Sequence, residues 1–245
     1  MILDIDAGNT RIKWRVLDGD RVVGRGDQLT ELIRQGMPLE IIALNSLDRI
    51  RLSCVAGQDI VTKLQSQFSG QFDAQIELAE VTENIGSVVC GYKDHDQLGI
   101  DRWLALLAAY AKNSDAVVVV DAGSAVTVDI VSTEAMHLGG YIVPGLQLMH
   151  KALWQGTDRI KVEAKRAMEI NSPGQTTAEA VDKGCLLVLV AMIESLLARH
   201  QARLIITGGD AELLQNALAV EAELYPDLVL DGLSLKGISL RAVDR

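Results

Sequence analysis

The chain opens on an apolar run that a carboxylate ends, "MILDID", followed by a tight "AGNT". The next stretch, "RIKWRVL", alternates: Ile12, Trp14 and Val16 on one face, Arg11, Lys13 and Arg15 on the other. A period of two predicts strands, the first buried and the second half-buried. "LDGD" predicts a turn into a third strand, "RVVGRG", so an antiparallel meander is expected at the N-terminus. A helix near Leu29–Gln35, a strand near Arg49–Val55, a helix over Asp59–Phe68 and a strand near Gln75–Val81 follow. The helix carries Ile60, Val61, Leu64 and Phe68 on one face. This alternation predicts an α/β fold. "NIGSVVCGYKDHDQLG" reads as an irregular loop, long enough to suspect of function. It runs into a helix, "IDRWLALLAAYAKN", with Asp101 and Arg102 in the first turn.

From Asp115 the pattern restarts. "AVVVVD" reads as a buried strand, "AGSA" as a turn, "VTVDIV" as an alternating strand, "TEAMH" as a turn and "LGGYIV" as a third strand. Strand, Asp, glycine turn, strand, turn, strand thus occurs twice, which predicts a duplicated unit with a boundary near Lys112–Asp115. The expected domains are residues 1–113 and 114–245. "PGLQLMHKALW" and "TTAEAVDKGCLLVLVAMIESLLARH" read as helices. "ARLIITGGDAELLQNAL" reads as strand, glycine turn and helix.

A chain of 245 residues with 49% hydrophobic and 23% charged residues can build a substantial core, and 4% aromatics makes that core aliphatic. The net charge of −10 argues against nucleic acid or an anionic membrane as partner. It leaves room for a small anion held by backbone amides and a metal. Cys54, Cys90 and Cys185 lie far apart, without C-x-x-C spacing, and are expected to be reduced, buried thiols. Asp4 and Asp6 interrupt the N-terminal apolar stretch, so it does not read as a signal peptide. "CLLVLVAMI" is too short to span a bilayer. The expectation is a cytoplasmic protein.

Three glycine turns end strands: "DAGNT", "DAGSA" and "TGGDA". Glycine lets backbone approach a phosphate closely, and a hydroxyl beside it donates to phosphate oxygens. A carboxylate at the strand end can hold a cation. Either Asp-x-Gly turn alone fits an ordinary hairpin. The pair, each between a buried and an alternating strand, favours a clamp on a nucleotide phosphate tail. The sequence has no G-x-x-x-x-G-K-[ST] and no G-x-G-x-x-G after a strand, which disfavours a P-loop or dinucleotide-binding fold. Asp101 fits a helix-terminus charge as well as a chemical group. Thr176 fits a helix cap, with Thr177 as first-turn filler.

The paired turns resemble those of the actin-like ATPase superfamily. With "GYKDHDQLGIDRW" and "TTAEAVDKG" added, the chain resembles the type III pantothenate kinases, whose hallmarks are D-x-G-N-T, G-x-D-R and D-x-G-T-A in this order. The resemblance covers essentially the whole chain. It implies duplicated actin-like (ribonuclease H-like) α/β domains, each beginning with a three-stranded antiparallel meander, with an ATP cleft between them. It implies ATP-dependent phosphorylation of pantothenate, the first step of coenzyme A biosynthesis. Asp6, Ala7, Gly8, Asn9, Thr10, Arg11, Ile12 and Lys13 match the ATP segment, with Asp6 near Mg²⁺, and Ser124 stands where the family usually has threonine. Tyr92, Gly99, Ile100, Asp101 and Arg102 match the pantothenate segment, with Asp101 as proton acceptor. Thr177 matches a pantothenate-contacting threonine. Asp121 matches the aspartate that binds a monovalent cation, K⁺ or NH₄⁺. Gln97 and Leu98 stand where many members carry a proline.

The apolar character of the long helix on more than one face, together with the resemblance, implies a homodimer. Two other readings stay open at this point: an actin-like phosphotransferase or phosphatase with a different acceptor, and a relative without catalysis that serves as a regulatory protein.

Overall fold

The β-propensity and alternation of the N-terminal residues produce strands whose two faces differ in kind. In this computed structural model, every residue is described except 43, 45, 70, 73, 159, 162–169, 244 and 245. The elements in chain order begin with β1 (Ile2–Ala7), β2 (Arg11–Asp18), β3 (Arg21–Leu29), α1 (Thr30–Arg34), β4 (Arg49–Cys54), α2 (Gln58–Ser69) and β5 (Ile76–Glu80). Two short strands, β6 (Asn84–Ile85) and β7 (Val88–Val89), precede α3 (Ile100–Asn113). Next come β8 (Val117–Ala122), β9 (Ala125–Val131), β10 (His137–Pro144), α4 (Leu146–Gly156), α5 (Thr177–His200), β11 (Arg203–Thr207), α6 (Ala211–Ala217) and β12 (Glu223–Leu224). The chain ends with α7 (Leu228–Leu233) and β13 (Ser239–Ala242).

Two compact units emerge: Met1–Ala108 with Asp227–Arg245, and Ala109–Pro226. Residues 227–245, grouped above with the second domain, therefore lie in the first unit. Two contacts hold them there. Strand β13 pairs antiparallel with β5, Ser239 opposite Glu80, and α7 with the Ser234 that follows it carries partners for two buried arginines of the same sheet.

The sheet of the first unit runs β13-β5-β4-β1-β2-β3. Strand β1 is antiparallel to β2 and parallel to β4, and β2 is antiparallel to β3. Leu3, Ile5, Ile12, Trp14, Val16, Ile50 and Leu52 form one face and pack with Ile60, Leu64 and Phe68 of α2. The opposite face carries Asp4, Arg15 and Arg51 in register. The polar half of the β2 alternation reads as solvent-facing in sequence, yet Arg15 is 6% exposed and Asp4 0%. Helix α7 covers them and supplies hydrogen-bond partners. It also packs closely on α3, since a Cβ on Gly232 would lie 2.4 Å from Leu104 O.

The sheet of the second unit runs β10-β9-β8-β11-β12. Val118, Val120, Val126, Val128 and Ile130 pack with Leu186, Leu189, Val190 and Ile193 of α5. The loop read as irregular before α3 contains the β6–β7 pair and a 3₁₀ turn at His95–Gln97, with the Asp94 carboxylate accepting from Asp96 N–H. Among the thiols only Cys185 is buried; Cys54 and Cys90 are half-buried.

Candidate active site

In the first unit, β1 ends in a turn whose backbone closes on itself. Gly8 N–H donates to Arg11 O at 3.0 Å, and Thr30, at the start of α1, donates its hydroxyl to Gly8 O at 2.6 Å. Ala7 and Ile12 are fully buried in the core beneath the turn, so only their backbone is available to a ligand. Asn9 and Thr10 are exposed, and Asp6 is half-buried. Arg11 pairs with Asp27 on the neighbouring strand. The register sets Lys13 on one side of Asp6 and Ser53 on the other. Ser53, which the sequence reading passed over inside an apolar strand, donates its hydroxyl to Asp6 Oδ1 at 3.1 Å. Its signal was a lone hydroxyl in "RIRLSCV" at a position that pairs with the strand-end aspartate. Cys54 follows; burial pushes its thiol pKa up, hydrogen bonding to the Ala56 and Gly57 backbone lowers it, and the charges of Asp6 and Asp59 raise it.

The same unit gathers the second group of candidate residues at the start of α3. Arg102 is buried, and its Nη1 donates to Tyr92 Oη at 2.8 Å, with the guanidinium carbon 5.5 Å from the ring centroid. Arginine over a tyrosine ring is a favourable cation–π placement. The Asp101 carboxylate turns back on the helix start, Oδ1 accepting from Arg102 N–H at 2.8 Å. Gly99 makes that turn possible: a Cβ there would lie 2.6 Å from Asp101 Oδ1. Ile100 is buried.

In the second unit, a half-buried Asp121 stands one residue before the end of β8, and Ser124 is exposed in the turn that follows. Gly123 N–H donates to Ala125 O, Gly145 N–H to Ser124 O and Asp210 N–H to Ala122 O. The "DAGSA" and "TGGDA" turns therefore pack against each other. Gly208 sits at φ +96°, and a Cβ on it would lie 2.5 Å from both Ala122 O and Asp121 Oδ1. A side chain at Gly208 would fill the space beside the carboxylate. Thr176 caps α5, accepting from Glu179 N–H at 3.2 Å, while Glu179 accepts from Gln175 N–H at 2.8 Å. The Thr176 half follows the T-x-x-E capping pattern, while the Glu179 carboxylate reaches one residue further back, to the residue before the cap. This arrangement leaves Thr177 exposed in the first turn.

The donor sets suit hard cations. Mg²⁺ prefers oxygen ligands and usually takes one or two carboxylates, with waters and substrate phosphates filling the rest. Asp6, beside the exposed Thr10 hydroxyl turn, fits that demand. No group of three or more His, Cys, Asp or Glu side chains is gathered among the described residues, and a metal carried on nucleotide phosphates needs none. Asp121, flanked by the carbonyls of a glycine turn, offers oxygens suited to a monovalent cation.

Comparison with known proteins decides the family. The family described as type III pantothenate kinase matches residues 2–199. The chain belongs to the type III pantothenate kinase family. Type III pantothenate kinases of Pseudomonas aeruginosa are 39% identical over 250 residues, covering 96% of this chain and 98% of the relative. That of Azotobacter vinelandii is 34% identical with the same coverage. Among solved structures, a Campylobacter jejuni protein described as a Baf family transcriptional activator matches with TM-score 0.60 and 25% identity, covering 94% of each chain. A Sinorhizobium meliloti protein assigned as a 2-dehydro-3-deoxygalactonokinase matches with TM-score 0.58 and 14% identity, covering 96% of this chain and 97% of that one. The latter likeness shows the fold alone, a shared mixed α/β architecture. Among the described residues no helix is long and apolar enough to cross a membrane.

Proposed function

We propose that the protein transfers the γ-phosphoryl group of ATP to the primary hydroxyl of pantothenate, giving 4′-phosphopantothenate and ADP, the first step of coenzyme A biosynthesis. The observation that carries this reading is the full-length membership of a pantothenate kinase family. The arrangement of Tyr92, Asp101 and Arg102 at the head of α3 supports it. Phosphoryl transfer asks a protein for positioning and charge neutralisation rather than covalent chemistry.

In this reading the turn from Asp6 to Lys13 and the Ser124 hydroxyl hold ATP, and Tyr92, Gly99, Ile100, Arg102 and Thr177 hold pantothenate. Asp101 accepts the hydroxyl proton as the oxygen attacks the γ-phosphorus; the bond to the β-phosphate oxygen breaks and ADP leaves. Mg²⁺ at Asp6 would neutralise phosphate charge, and K⁺ or NH₄⁺ at Asp121 would offset the cost of a carboxylate ending a buried valine strand. Full activity in a buffer of bulky organic cations alone would remove the Asp121 assignment. Duplicated actin-like domains belong to the same reading, as does a cytoplasmic location.

A homodimer belongs to it too. Strand β10 is an edge of its sheet and exposes Leu138, Tyr141 and Ile142; α5 exposes Leu187 and Val188. An apolar edge strand is a liability unless something covers it, and a second copy of the chain is the occupant we assign. A monomeric mass at micromolar concentration would defeat that assignment.

The deciding experiment is Asp101→Asn. General-base contributions are ~10²–10⁴-fold, so kcat should fall by that order with the fold intact and ATP binding kept. Near wild-type turnover would reject Asp101 as the base. A second reading, a regulatory role, is favoured by the likeness to the Campylobacter jejuni protein. The net charge of −10 disfavours direct DNA contact. Pantothenate-dependent ATP consumption by the purified protein separates the two.

A further inference from the structure

We propose that Ser53 is a positioning residue that orients the Asp6 carboxylate before metal-bound ATP arrives. The inference rests on the reading of Asp6 as the carboxylate on the Mg²⁺ and phosphate side. Parallel pairing of β1 with β4 sets Ser53 beside Asp6, and aligned residues of paired strands project from the same face of a sheet. Ser53 is fully buried at 0% exposure. Its hydroxyl donates to Asp6 Oδ1 at 3.1 Å. The neighbours on its own strand, Leu52 and Ile50, are core residues of the opposite face, so nothing in the apolar packing calls for a hydroxyl here.

The geometry separates two kinds of work. Asp6 stands one residue before the end of β1 and is half-buried, and a fixed donor on Oδ1 restricts the orientation of its carboxylate. Residues that hydrogen-bond metal-side carboxylates act in this way, and their loss typically costs about 10–100-fold in metal affinity or activity. In the second unit the register sets another buried hydroxyl, Thr207, beside Asp121. Both strand-end aspartates thus have a buried hydroxyl residue as their neighbour on the adjacent parallel strand.

The test is Ser53→Ala, which removes one oxygen and adds no bulk. A non-hydrolysable ATP analogue is titrated calorimetrically into wild type, Ser53→Ala and Asp6→Asn, each with and without Mg²⁺. The expected result for Ser53→Ala is a fall of about tenfold or more in Mg²⁺-dependent affinity. Mg²⁺-free binding and the pantothenate KM should be unchanged, and the thermal melt should show a folded protein. Wild-type Mg²⁺-dependent affinity in Ser53→Ala, beside a clear loss in Asp6→Asn, overturns the role of Ser53 and leaves Asp6 in place. An equal loss with and without Mg²⁺, or a matching rise in pantothenate KM, marks general loosening and also overturns it. Unchanged Mg²⁺-dependent binding in Asp6→Asn overturns the reading of Asp6 and this inference with it.

Discussion

Asp4 and Asp6 sit two residues apart on one strand and one face of one sheet, yet the structure treats them in opposite ways. Asp4 is fully buried and saturated. Arg51 meets it as a fork, Nε to Oδ1 at 2.7 Å and Nη2 to Oδ2 at 3.0 Å, and Arg15 Nε adds a third bond at 3.1 Å. Arg15 Nη1 also reaches Asp231 Oδ1 at 2.7 Å, and both arginines donate to Ser234 Oγ at 3.0 Å. Two anions and two cations make the cluster neutral, and all three nitrogens of the Arg15 guanidinium and the Nε and Nη2 of Arg51 are aimed at acceptors. Such a group ties α7 to β1, β2 and β4. Asp6, one rung nearer the turn, has Lys13 and Ser53 as its cross-strand neighbours instead and lies half-open at the strand end. One carboxylate is spent on architecture; the other is placed where a ligand can reach it. Burial, rather than residue type, separates the two.

The largest effect that would break this contrast is on stability. Asp4→Asn keeps the shape but leaves Arg15 and Arg51 buried with one carboxylate fewer. Removing one member of a buried ion cluster costs about 3–5 kcal/mol, because the remaining charge stays desolvated. For a chain of this length that is a fall of roughly 2–4 °C in Tm per kcal/mol. Turnover by the fraction that stays folded at low temperature should be close to wild type. A melt unchanged by Asp4→Asn would mean that the cluster contributes nothing to holding α7.

Asp6→Asn should give the reverse pattern. Its melt should move far less than that of Asp4→Asn, because Asp6 is half-buried and the substitution keeps an oxygen that can accept from Ser53. Its kcat should fall by about 10²–10³, the range seen when one preorganised charge-stabilising group is lost. A melting scan and one steady-state trace on each variant fill the four cells of the comparison. Should both variants lose stability alike, Asp6 belongs to the architectural cluster and the functional contrast fails.

The sequence made half of this visible. The alternation of Ile12, Trp14 and Val16 specified the apolar face of β2, and those residues are in the core. The same alternation misled for Arg15. Period two says only that a side chain leaves by the other face, and the partners that make burial tolerable lie on α7 and at the residue after it, at Asp231 and Ser234, more than two hundred residues later. Strand β13 was illegible for a related reason: it is a four-residue edge strand, Ser239–Ala242, whose pairing with β5 is entirely long-range. The candidate site fared differently. The glycine turns and the "GIDR" helix start are local features, and the structure gives each a local cause, such as the room that Gly99 leaves for the Asp101 carboxylate. Ser53 escaped because its importance is a property of strand register, which no single stretch of sequence displays.

The smallest expected effect sharpens the contrast through a neighbour. Cys54 follows Ser53 at the end of β4, opposite Ala7, and its thiol donates to Gly57 O at 3.6 Å. Burial raises its pKa most; the backbone contacts at Ala56 and Gly57 pull it down, and the Asp6 and Asp59 charges push it up again. The thiolate is the reactive form, so Cys54 should alkylate slowly at neutral pH, with a midpoint above that of an ordinary thiol. Asp6→Asn removes one of the raising charges. The alkylation profile of Cys54, followed by site-resolved mass spectrometry, should then move to lower pH, and its rate at a fixed, mildly alkaline pH should rise. Asp4→Asn should leave the profile alone at temperatures where that variant is folded, since Asp4 is paired by two arginines and is not among the charges that raise Cys54. Cys185 serves as the internal control: burial and then Asp182 raise it, and neither variant touches that setting. A Cys54 profile identical in wild type and Asp6→Asn would mean that the thiol does not feel the Asp6 charge. The half-open carboxylate would then be neutralised where it stands, and the difference between the two rungs would shrink to one of exposure alone.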